Sequence, residues 1–96
     1  MNNTIIFCKN AKALRQLRKI VKSAVSLSEK KAALKTISKP TIGSLYWLNK
    51  AMHSQNVTEF DIAVNRAITI TDTSLNQIRP FVSDAVIFGQ ALLTNE

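Results

Sequence analysis

The sequence predicts an all-α fold, a small bundle of four to five helices. Three observations carry this. Two glycines and two prolines in 96 residues leave little material for hairpin turns. An apolar share of 46% against 20% charged residues is that of a folded chain. The apolar residues recur at steps of three and four, the spacing of one helix face. The length fits a single domain spanning 1–96, large enough for one core without staples.

In "AKALRQLRKIVKSAV", Leu14, Leu17, Val21 and Ala24 mark an apolar face. Lys12, Arg15, Lys19 and Lys22 repeat with the same steps but lie about 200° away, so the first helix is apolar on one side and cationic on the other. Its start has two readings: Thr4 caps a longer helix, or "TIIF" forms a short strand. A strand over residues 4–8 has one plausible mate, residues 67–71 in "AITIT", and that pairing is the α+β alternative to the bundle. Against it, Phe60, Val64, Ala67, Ile68 and Thr71 mark a helix face.

Ser26 and Ser28 mark a break, and "SEKKAALKTI" reads as a second, short helix with Ser28 as N-cap and Glu29 near its positive end. Pro40 suits a helix's first turn, so a turn at Thr36 to Lys39 precedes a third helix reaching about Ser54. After the connector "HSQNV", Thr58 with Asp61 opens a fourth helix, Glu59 to about Ile70. "TDTS" is rich in turn formers and should start a new element. Pro80 interrupts the last apolar face, with a kink or short helix before it and the main last helix from Pro80 to about Leu93. The expected core is Leu14, Leu17, Val21, Leu34, Leu45, Leu48, Phe60, Val64, Ile78, Val82 and Phe88.

The formal charge of +7 is unevenly spread. Between Lys9 and Lys39 ten lysines and arginines face Glu29 alone, a balance of +9, whereas residues 40–96 hold three basic and five acidic residues, a balance of −2. The basic half 9–39 suits a polyanion, and the apolar C-terminal half 40–96 suits packing, a protein partner or a homodimer. Val82, Ala85, Val86, Phe88, Gly89 and Leu92 supply the surface for self-association.

Enzyme chemistry is not expected. His53 is the only histidine, so neither a histidine-rich metal site nor a nucleophile–histidine pair has a second member. Glu59 and Asp61 fall in a helix's first turn, where the helix dipole accounts for acids. Gly43 and Gly89 are isolated, so no glycine-rich phosphate loop exists. The lone Cys8 forms no intramolecular disulfide and reads as a small core residue. The first residues lack a basic leader, and no apolar run approaches the ~18 residues of a spanning helix, so a cytoplasmic protein without cofactor, metal or membrane is expected.

The succession "EKKAALKT", "ISKPTI" and "GSLYWLNKAM" resembles the second and third helices of helix-turn-helix DNA-binding proteins over residues 28–52. Ser38 and Thr41 match the Ser-x-x-Thr that often opens the recognition helix in that family. The resemblance implies core positions at Ile37, Ile42 and Leu45, a small residue at Ala32, and a helix N-terminus that approaches the major groove. Thr36 stands where the family commonly has glycine, and Lys31 and Lys35 stand on two of its apolar positions. Trp47 projects opposite Ile42, Leu45 and Met52, where it stacks on nucleotides, fills an interface or packs under another helix.

Two functions are compatible with this pattern. One is a nucleic-acid-binding protein, a DNA-binding regulator in which Lys12, Arg15, Arg18, Lys19 and Lys22 neutralise phosphates while Lys39, Thr41, Ser44, Trp47 and Lys50 approach bases. The other is a small interaction protein, such as an inhibitor, immunity factor or adaptor of a mobile element, whose basic helix docks on an acidic protein surface. The scarcity of arginine in the basic half favours general charge attraction over bidentate base contacts.

Overall fold

The computed structural model describes residues 3–37 and 40–82. The order is α1 (Asn3–Lys22), α2 (Leu27–Lys35), α3 (Ile42–Met52), α4 (Val57–Ile78) and a single 3₁₀ turn, Arg79–Phe81. No strand occurs among the described residues, so the all-α bundle holds and the α+β alternative falls. "TIIF" is helical because Phe7 shares a face with Ala11 and Leu14 and is buried there with Leu75 and Val82. Thr4 lies inside α1 and is not its cap.

The long α4 is the organising element, with α1 and α3 both packed along it. Its buried residues Phe60, Ala63, Val64, Ala67, Thr71 and Leu75 follow helical spacing. They serve two clusters: one joins Leu17, Ile20, Leu34 and Ala51 to Phe60, Ala63, Val64 and Ala67, and the other joins Phe7, Ala11 and Leu14 to Leu75 and Val82. Ile68 packs against both. Of the expected core, Val21, Leu45, Leu48 and Ile78 are only half-buried, and Phe88 lies outside the described residues. Gly43 lets α3 approach α4 closely, since a Cβ there would sit 3.3 Å from Ile70 Cγ2.

Three caps differ from expectation. Ser26, not Ser28, caps α2 by accepting the Glu29 N–H at 3.3 Å, which is the Ser-x-x-Glu capping-box spacing. Asn56, not Thr58, caps α4 by accepting the Glu59 N–H at 2.8 Å, while Glu59 Oε2 accepts from the Gln55 N–H at 3.0 Å. Pro40 precedes the cap of α3 and does not enter its first turn.

No new element starts at "TDTS", because α4 runs through it. The hydroxyls of Thr69, Thr71 and Thr73 turn back onto the carbonyls of Asn65, Ala67 and Thr69 at 2.8 to 3.1 Å, so these residues satisfy themselves within the helix. The last helix does not start at Pro80, which sits in the 3₁₀ turn and is followed by an extended Val82. Val82 is buried with Phe7, Leu14 and Leu75 and so not free for self-association, and the rest of that helix and surface lies outside the described residues.

Two lysines of α2 make its polar attachments. Lys30 is 2% exposed, with Nζ donating to Asp61 Oδ1 at 2.9 Å and to the Val21 carbonyl at the end of α1 at 3.2 Å. Lys31 donates to the Ser54 carbonyl at 2.8 Å.

Candidate nucleic-acid interface

On α1, Lys12, Arg15, Lys19 and Lys22 lie opposite the residues that pack the core, and Lys9 and Arg18 border the packed face on its two sides. Lys9, Lys12, Arg18, Lys19 and Lys22 are exposed and Arg15 is half-buried. From Lys12 to Lys22 the stripe is about 15 Å long at 1.5 Å per residue. That is about four base steps of duplex DNA. Lys30–Asp61 is the one ion pair among the described residues, so none of their carboxylates neutralises the stripe. Arg15, Arg18, Lys19 and Lys22 line a half-open cleft of about 300 Å³. Arg15 Nη1 is buried without a hydrogen-bond partner, a donor held ready for an acceptor that the described residues do not supply.

The start of α3 departs from the expected base-reading end. Thr41 and Ser44 form a reciprocal capping box: each side-chain oxygen accepts the other's backbone N–H at 3.3 Å, and the Ser44 hydroxyl donates to the Thr41 carbonyl at 2.8 Å. Ser44 is 0% exposed. Both hydroxyls are thus engaged in starting the helix, and Ser44 is closed to any ligand. Lys39, with Ser38, lies outside the described residues.

Of the core positions that the helix-turn-helix resemblance implies, Ile37 and Leu45 are half-buried, whereas Ile42 is 89% exposed. Ile42 is the first residue after the cap, and Ser44 takes the buried position of that turn. Ala32 is exposed. Lys31 and Lys35 do not fill the core: Lys31 reaches the Ser54 carbonyl, Lys35 is exposed, and Lys30 is the buried lysine.

Trp47 is half-buried against the first core cluster. Lys50 Nζ lies over its ring at 5.3 Å from the centroid and the Arg66 guanidinium at 5.8 Å. Tyr46 meets Trp47 edge-on, with centroids 5.1 Å apart and planes at 84°, and Lys50 also lies over Tyr46 at 5.6 Å. Tyr46 and Arg66 were not expected here. Tyr46 was detectable as the residue four before Lys50 on one helix. Arg66 was not, because it arrives from α4.

His53 is exposed, its Nδ1 2.9 Å from the Asn49 carbonyl, and Cys8 is half-buried. No helix among the described residues is long and apolar enough to cross a membrane. Comparison of the chain with protein-family models, curated proteins and solved structures produced no match.

Proposed function

We propose that the protein is a small, non-enzymatic, cytoplasmic nucleic-acid-binding protein, a DNA-binding regulator that holds the phosphate backbone against the cationic face of α1. The supporting observation is the stripe Lys12, Arg15, Lys19 and Lys22, bordered by Arg18 and paired with no carboxylate of the described residues, with the unpartnered Arg15 Nη1 beside its cleft. Cations released from competing carboxylates gain binding free energy by displacing counterions from a polyanion. With Thr41 and Ser44 engaged in the cap, contact is directed to the backbone more than to base edges.

The test is a titration against duplex DNA, single-stranded DNA and RNA over a salt series. On duplex DNA, four or five contacts give a slope near −4 in log affinity against log salt, at about −0.9 per phosphate. Reversing Lys12, Arg15, Lys19 and Lys22 together abolishes binding. Thr41→Ala leaves the salt slope unchanged.

The dominance of lysine on α1 and the engaged α3 hydroxyls also favour a second reading, in which the same stripe docks on an acidic protein surface. Absence of measurable affinity for all three nucleic acids at about 50 mM salt rejects the first reading and leaves this one.

A further inference from the structure

A second cleft, sharing no residue with the one on α1, lies between α3 and the start of α4. It is half-open, about 440 Å³ in volume, walled by Trp47, Ile62 and Ala63, with Lys50, His53 and Glu59 among its polar residues. Apolar surface continues outside it: Ile62 is 56% exposed, and Tyr46, in edge contact with Trp47, is 61% exposed. Two cations border this surface. Lys50 and Arg66 are both held over the indole, and neither has a carboxylate within 4.0 Å among the described residues. Glu59, the acid of the cleft, keeps its charge while Oε2 accepts the Gln55 N–H, so Lys50, Arg66 and Glu59 together leave a balance of +1.

We propose that this cleft is the docking site for an acidic segment of a protein partner. One apolar side chain enters between Trp47 and Ile62, and carboxylates flanking it meet Lys50 and Arg66. Tryptophan, tyrosine and arginine are the residue types that carry most binding energy at protein interfaces, above all where an anchor fills a pocket. Charge complementarity selects the partner's sign, because an uncompensated cation at the cleft rejects a basic segment. A nucleobase fits less well. Stacking needs a bare aromatic face, and the indole already has two cations over it. The proposal concerns a different surface from α1 and stands whether or not α1 binds nucleic acid.

Trp47 is the only tryptophan, so its fluorescence reports this cleft and not the α1 stripe. The probe is the blocked peptide Glu-Glu-Leu-Phe-Glu-Glu, titrated into the full chain to millimolar concentration. A saturable change in emission is expected. Replacing Leu-Phe by Ala-Ala weakens it by at least about fivefold through lost apolar burial. Replacing the glutamates by lysines abolishes it. The exposed double variant Lys50→Glu/Arg66→Glu weakens the acidic peptide by about tenfold or more while circular dichroism stays unchanged. Ile62→Glu does the same if it folds, and the peptide series on the wild-type chain decides the matter if it does not. Unchanged emission with the acidic peptide, equal binding of the Ala-Ala peptide, or a stronger response to oligothymidylate than to the peptide overturns the proposal.

Discussion

The ammonium of Lys30 and the carboxylate of Asp61 form a pair of unequal depth, the first 2% and the second 27% exposed. Removing one partner strands the other, and the penalty depends on how much water the stranded group can reach. Lys30→Met leaves Asp61 with access to solvent, so the expected loss is about 1–2 kcal/mol. Asp61→Ala leaves a dry ammonium with only the Val21 carbonyl, and the expected loss is larger, about 2–4 kcal/mol. The double variant should lose less than the two single losses together. Urea denaturation measures all three, and equal single losses would mean that the two groups are equally solvated.

At the scale of the helix, α4 is where patterning and structure part company. Thr69, Thr71 and Thr73 read as β-branched residues and turn formers, yet each hydroxyl donates to the carbonyl four residues earlier. The Thr71 hydroxyl is buried and bonds to a carbonyl of its own helix, so its removal strands nothing essential. Thr71→Val should therefore change the unfolding free energy by less than about 1 kcal/mol, in contrast to the usual penalty for core changes. A larger loss in denaturant melts would show the hydroxyl to be holding more than α4.

Helix content and the cationic face of α1 were legible because both are periodic within one element. Ser26 and Asn56 each precede a glutamate by three, so their caps were also legible, and reading Ser28 and Thr58 instead started both helices late. Ser44 and Arg66 were not. Whether Ser44 caps a helix or meets a ligand depends on Thr41 folding back, and Arg66 reaches Trp47 only once α3 and α4 are packed.

Across the whole molecule the charge is segregated, and the α1 stripe repels itself. Lys12–Arg15, Arg15–Lys19 and Lys19–Lys22 are like charges at spacings of three and four, each unfavourable by a few tenths of a kcal/mol. Lys19→Glu turns two of these repulsions into attractions but replaces a cation by an acid in the last turn of α1. The two effects offset, so the thermal midpoint should stay nearly unchanged while nucleic-acid binding weakens and the salt slope falls by at least about 0.9. A variant that loses stability and affinity together would place Lys19 in the packing of the bundle.

The way α2 is attached sets the order in which the molecule comes apart. Its nine residues fully bury one aliphatic side chain, Leu34, with Leu27 and Ala33 half-buried against the same cluster, and its polar ties are the ammonium contacts of Lys30 and Lys31. Between α2 and α3 a cleft of about 400 Å³ runs past Ile37, Leu45, Leu48 and Met52. An element held this way opens with less free energy than the global unfolding of α1 and α4. In hydrogen exchange the amides of α2 should be released by a local excursion, well ahead of those flanking Leu17, Phe60 and Val64. Each excursion bares the aliphatic lining of that cleft to the surroundings and closes again without the α1–α4 pair coming apart.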